Sequence, residues 1–187
     1  LTPATRVVFV ETIANPRVQV ADLKKIGDLC RARGILYVVD NTMTSPWLFR
    51  PTTVGASLVV NALTKYIGGH GNALGGSVTD TGLFDWTRYS AIHDAYKGAN
   101  PKLWAVTQIR KKGLRDWGGT LSAEQAHHLS AGAETLAQFA ARERRAIHQR
   151  AQLRADSGLL RHREQHRQRL AVVTLTREVG VQRPHPQ

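Results

Sequence analysis

The strongest constraint in this sequence is a set of short, unbroken apolar runs. "VVFV" (Val7–Val10), "ILYVVD" (Ile35–Asp40) and "SLVVN" (Ser57–Asn61) show no polar alternation. Strands of that kind are buried on both faces, as in a parallel sheet. Between the first two lies "VADLKKIGDLCRARG", with Val20, Leu23, Ile26 and Leu29 or Cys30 at the spacing of an amphipathic helix and Gly34 as its stop. Strand–helix–strand order predicts an α/β fold, with a parallel sheet covered on both faces. "GGSVTD" reads as a fourth strand. "FDWTRYSAIHDAY" and "PKLWAVTQIRKKGL" read as helices, the second opening at Pro101. "LSAEQAHHLSAGAETL" opens with Ser122 as an N-cap.

The polar residues that end these strands point to function. The first strand ends in Glu11 and leads into "TIANP", the second ends in Asp40 before "NT", and the third ends in Asn61 and leads to Thr64 and Lys65. Ligands of open α/β sheets bind outside the carboxyl ends of the strands. A carboxylate, an amide, a hydroxyl and an amine are therefore expected in one crevice. Any one of them alone could simply cap a loop; three successive strand ends are harder to dismiss. The loop after Lys65, "GGHGNALGG", reads either as a flexible turn or as backbone that approaches a ligand, and His70 and Asn72 stay open between the two.

Composition excludes several classes. With 187 residues, 42% of them hydrophobic, the chain is long enough for a core and is not disordered by composition. No run approaches the roughly 18 apolar residues of a membrane span. The start, "LTPATRVVFVE", lies almost on a strand and carries no signal pattern, as in a piece cut from a longer chain. A single cysteine, Cys30, excludes an internal disulfide, suits a reducing cytoplasmic setting and reads as a buried filler. The charge of +12 is uneven: residues 138–187 hold 11 arginines, no lysine and four acidic residues. That shift divides the chain into 1–137, which holds the strands, and 138–187, a tail rich in Arg, Gln and His.

"ETIANP", "VVDNTMTSPWLFRP", "GASLVVNALTKYIGGHGNALGG" and "LRDWGGTLSAEQA…GAETL" resemble the pyridoxal-phosphate-dependent enzymes of cysteine and methionine metabolism, without obvious gaps from Val7 to Leu136. That family includes cystathionine γ-synthase, cystathionine lyases, methionine γ-lyase and homoserine-ester sulfhydrylases. The resemblance implies the large domain of the aspartate-aminotransferase-like (type I) fold, with a mostly parallel sheet followed by helices. It implies pyridoxal 5′-phosphate (PLP) as cofactor, a small amino-acid substrate, and C–S bond cleavage or formation. It implies a homotetramer built as a dimer of dimers. By the same resemblance Lys65 forms the Schiff base and Asp40 faces the pyridine nitrogen. Thr64 bonds the phosphate, Asn15 lies near the ring oxygen, and Thr42 neighbours the ring. Glu11 is a supporting residue. A lysine amine must lose its proton to form such a bond, and a partly buried, cation-rich site favours the neutral form.

The departures are equally specific. The family usually carries Ser two positions before the Thr; here that residue is Ala62. Family chains are also longer, which implies that a Gly-rich phosphate loop, a stacked tyrosine and a carboxylate-gripping arginine lie outside these residues. The tail leaves the family pattern after "GAETL", as a GC-rich gene does when read out of frame, and is expected to be helical or disordered. The second reading is a remnant or binding protein whose basic tail contacts nucleic acid. Against it, the tail has one aromatic residue, Phe139, on which bases could stack.

Overall fold

The computed structural model describes residues 1–156. Its centre is a four-stranded sheet in the order β1 (Val7–Glu11), β2 (Leu36–Asp40), β3 (Leu58–Ala62), β4 (Gly76–Asp80). The first three strands run parallel: Val7 pairs with Leu36 and Glu11 with Asp40, while Val38 pairs with Leu58 and Asp40 with Val60. β4 is the exception in a sheet that is mostly parallel, as the resemblance implies. It runs antiparallel to β3, with Leu58 opposite Asp80 and Ala62 opposite Gly76. Residues 63–75 are turns rather than a crossover helix, and a connection of that kind can only bring the chain back antiparallel.

Alternate residues of the strands feed two cores. One face carries Val8, Val10, Tyr37, Val39 and Val59, packed against Leu23 and Cys30 of α1 (Leu23–Arg33) and against Val54. α1 begins where the Asp22 side chain accepts from Lys25 N at 3.0 Å, and it ends at Gly34, whose φ of 63° suits glycine. Gly27 lets the helix approach closely, since a Cβ there would lie 1.9 Å from the Val54 carbonyl oxygen. The expected helical spacing holds for Leu23 and Cys30, but Val20 and Leu29 stay exposed. The Cys30 thiol is buried and burial pushes its pKa up to about 11, as suits an inert filler.

The other face buries Leu36, Val38 and Leu58 under Trp86, Ile92 and Ala105. This cover was expected to be helical over "FDWTRYSAIHDAY". Instead it consists of two 3-10 turns, Trp86–Arg88 and Asp94–Tyr96. Side chains cap both turns from outside: Asp85 accepts from Thr87 N, and His93 accepts from Ala95 N. Such local bonds compete with helix propagation. Phe84, Trp86 and Tyr89 then pack edge to face, with centroids 4.9–5.9 Å apart. A single turn, α2 (Ser45–Leu48), follows β2. Pro101 opens a later helical run as expected, through a 3-10 turn into α3 (Trp104–Gln108) and a π-helical segment over Ile109–Asp116.

α4 (Ala123–Asp156) is the longest element. Ser122 caps it, its hydroxyl accepting from Gln125 N at 3.2 Å. The helix runs unbroken past the compositional boundary at 137. Residues 157–187, most of the tail on which the nucleic-acid reading depends, lie outside the described residues. Among the described residues no helix is long and apolar enough to cross a membrane.

Candidate active site

The carboxyl ends of β1, β2 and β3 open onto one cavity of about 680 Å³, lined by Glu11, Asn15, Asp40, Thr42, Met43, Ala62, Lys65, Tyr66, Gly69 and Gly71. Parallel pairing alone places the first two carboxylates together, because Glu11 and Asp40 are register partners at the ends of their strands. Beyond Asp40 the chain is held tightly. Thr12 N donates to Asp40 O at 2.9 Å, and Asn41 N donates to Val60 O at 2.8 Å. Thr42 works in two directions: its backbone N–H donates to Asp40 Oδ1 at 2.8 Å, and its hydroxyl accepts from Ala62 N at 2.8 Å. One residue thus fixes the Asp40 carboxylate through its backbone and ties the end of β2 to the end of β3 through its side chain. Buried Asn41 supports this turn from below, giving its Nδ2 to Phe49 O and taking the Thr44 hydroxyl at 2.6 Å.

Asn15 sits on a small closed loop. Ala14 and Gln19 exchange both backbone hydrogen bonds, at 2.8 and 3.2 Å, and the Asn15–Pro16 bond is cis. Val18 completes the loop at a φ of 54°, a strained conformation for a β-branched residue. The Asn15 amide reaches Met43 Sδ at 3.8 Å.

Lys65 begins a run of tight turns. Its N–H donates to Ala62 O at 3.2 Å, and its carbonyl accepts from Gly69 N at 2.7 Å. α4 holds this loop in place: a Cβ on Gly132 would lie 2.0 Å from Gly68 O, and one on Gly75 would lie 2.5 Å from Leu129 Cδ1. Gly132 therefore lets helix and loop touch backbone to backbone, and Gly75 makes room for the Leu129 side chain.

Four of the five expected site residues, Asn15, Asp40, Thr42 and Lys65, line the cavity, and Glu11 joins them. Thr64 is not among the lining residues. Its hydroxyl accepts from Gly75 N at 3.1 Å and faces Gly75 O at 3.3 Å, closing the base of the loop. Lys65 was expected to be partly buried but is exposed, because the cavity is open on its outer side. Met43 and Tyr66 were not anticipated. Tyr66 could have been suspected from its place beside Lys65, whereas nothing in the sequence marks Met43.

An amine, a carboxylate and an amide around one cavity match what a PLP ring requires: a partner for the aldehyde, one for the ring N–H and one for the ring oxygen. The volume falls within the roughly 300–1,000 Å³ of cofactor-sized pockets. The sequence matches the Cys/Met metabolism PLP-dependent enzymes over residues 1–153. The chain belongs to that family. It is 34% identical to the O-acetyl-L-homoserine sulfhydrylase of Leptospira meyeri, covering 71% of this chain and 34% of that one. It is 37% identical to the L-methionine gamma-lyase of Pseudomonas putida, covering 76% and 34%. Its fold superposes with a TM-score of 0.63, at 31% identity, on an O-acetylhomoserine (thiol)-lyase of Campylobacter jejuni subsp. jejuni NCTC 11168 that carries N′-pyridoxyl-lysine-5′-monophosphate, covering 71% and 35%. This member of the family thus spans about a third of the length of the relatives it matches.

Proposed function

We propose that the protein carrying this chain is a PLP-dependent trans-sulfuration enzyme that makes or breaks a C–S bond on a sulfur amino acid or homoserine ester, and that Lys65 is its catalytic residue. The observation that carries this reading is the meeting of Lys65 and Asp40 at the carboxyl ends of adjacent strands in one cavity. Cofactor bound there supplies an electron sink for the pair left when a substrate Cα proton is removed.

The chain's own residues define the remaining roles. The Lys65 amine would hold the cofactor through its aldehyde and would move a proton at substrate Cα. One Asp40 oxygen is occupied by Thr42 N, which leaves the other for the ring N–H. Asn15 would offer its amide to the ring oxygen, and the Thr42 backbone keeps Asp40 from turning away. At the phosphate end Thr64 could contribute its hydroxyl only by giving up Gly75, and Ala62 offers no side-chain donor. The open outer side of the cavity and the exposure of Lys65 support a site completed by other parts of the protein, as in a dimer-of-dimers homotetramer, and a cytoplasmic setting agrees with one buried thiol.

Addition of PLP should give near-visible absorbance, and borohydride should then fix the cofactor on the peptide containing Lys65. Lys65→Ala should abolish the fixed label. Labelling of another lysine instead would remove the basis of this assignment.

A further inference from the structure

The geometry points to a second anion site at the opposite end of the sheet, built from Arg6, Arg33 and Arg88 and suited to a diphosphate group. The three arginines line one cavity of 460 Å³ with Gly34, Thr2 and Ser90. Arg6 directly precedes β1, and Gly34 precedes β2, whereas Glu11 and Asp40 stand at the far ends of those strands. A five-residue strand separates the two ends by about 17 Å. The cofactor cavity and this one therefore share no wall, and this inference does not depend on the cofactor reading.

Each arginine is anchored by its backbone. The Arg6 carbonyl accepts from Leu36 N at 3.1 Å, which pins it to the start of β2. Arg33 is the last residue of α1, directly before the Gly34 cap. Arg88 ends the 3-10 turn that buried Trp86 fastens to Asp80, Trp86 Nε1 donating to Asp80 Oδ2 at 2.7 Å. The Arg88 guanidinium lies over Gly34, with Nη2 3.7 Å from where a Cβ would be, so glycine leaves the cavity floor open.

Among the described residues none of the three forms a salt bridge. The neighbouring Arg31 does, with Asp28 at 3.8 Å. Asp85 shares the adjacent 420 Å³ cavity with Arg88. Its Oδ1 accepts from the Thr87 hydroxyl at 2.6 Å and Thr87 N at 3.1 Å, and these bonds, with a smaller contribution from the Arg88 charge, hold its carboxyl below the usual range. Arg6 Nη1 donates to Pro3 O at 2.7 Å and Thr5 O at 3.5 Å, which leaves Nη2 and Nε. Three positive charges around one concavity with a single acid at its edge leave an excess that a multivalent anion satisfies, and guanidinium forks match phosphate oxygens in pairs.

The test is calorimetric titration of the complete 187-residue chain with inorganic pyrophosphate, free of divalent metal, with ADP as a parallel arm. One saturable site is expected, weakened by added salt. Arg33→Gln/Arg88→Gln should lower affinity by about tenfold or more, equivalent to about 1.4 kcal/mol. Arg33→Lys/Arg88→Lys keeps charge without the fork and should fall between; its circular dichroism guards against a folding defect. Lys65→Ala should leave pyrophosphate affinity unchanged. ADP binding more tightly than pyrophosphate assigns the site to a nucleotide, and equal affinity to a free diphosphate. No saturable binding, unchanged affinity in the glutamine variant, or loss in Lys65→Ala alone would overturn the site.

Discussion

Gly132→Ala sets two physical effects against each other, and the structure decides the sign. In an exposed helix the change should stabilise, since alanine is favoured over glycine by about 1 kcal/mol. Here the new Cβ would stand 2.0 Å from Gly68 O and 2.7 Å from Gly68 C, whereas real Cβ contacts essentially never fall below 3.0 Å. The atoms in the way are backbone, so no rotamer change relieves the contact. α4 or the Lys65 loop must retreat by about 1 Å, and a gap of that size forfeits a quarter to a half of each dispersion contact along the seam. Overpacking of this kind costs about 1–3 kcal/mol. Subtracting the propensity gain leaves a net loss of up to about 2 kcal/mol, or a fall in melting temperature of roughly 2–8 °C for a chain of this size. Thermal denaturation followed by circular dichroism measures it. Gly113→Ala is the control, because a Cβ there meets nothing within 4 Å; it should be neutral or slightly stabilising. Borohydride labelling of Lys65 should decline in Gly132→Ala and not in the control. A melting temperature that rises in Gly132→Ala would refute the packing of α4 on the loop.

Thr42→Val should strand Ala62 N–H and untie the end of β2 from the end of β3 while leaving the backbone bond to Asp40 in place, costing about 1–3 kcal/mol, read from denaturant midpoints. Asp22→Ala should lose about 1 kcal/mol of α1 stability by removing the cap on Lys25 N, with no change in borohydride labelling. Cys30 should resist thiol reagents at neutral pH until the chain unfolds. Because burial raises its pKa from 9.0 to about 11, the folded state holds its proton longer than the unfolded one, so its contribution is intact below pH 9 and is lost as pH rises through 11; Cys30→Ala should flatten that part of the stability curve. Purified alone, the 187-residue chain should give no steady turnover of homoserine esters or cystathionine, assayed by release of product with added PLP.

What the sequence revealed depended on how local each signal was. The three parallel strands were legible because Val7–Val10, Ile35–Asp40 and Ser57–Asn61 are unbroken apolar runs, and burial on both faces leaves no other reading. Once they were placed, the meeting of Glu11, Asp40 and Lys65 followed from the geometry of a parallel sheet. The direction of β4 was not legible from "GGSVTD", since it is set by residues 63–75 folding back instead of crossing over. The 3-10 turns around Trp86 and Asp94 were missed because the helical spacing of their aromatic residues equally suits packing on a sheet face. Thr64 shows the limit of inference from motif alone: the motif fixes its place in the chain, but its hydroxyl finds Gly75 by tertiary contact.

The reversal at β4 has a metric consequence. Because β4 returns beside β3, the loop of residues 63–75 starts and finishes at the same sheet end, where Leu63 N donates to Gly75 O at 2.9 Å. Its near half, through Gly68, is measured out turn by turn from the sheet, and one inserted residue there would carry Lys65 out of the cavity. Its tip is open, since a Cβ on Gly71 meets nothing within 4 Å, whereas beyond it Ala73 is buried and Leu74 N donates to the Gln125 side chain of α4. Closing a longer loop costs about 0.6 kcal/mol for each doubling. Length can therefore vary at the tip around Gly71 while the lysine keeps its address, which makes that point the natural place for insertions to reshape the mouth of the site.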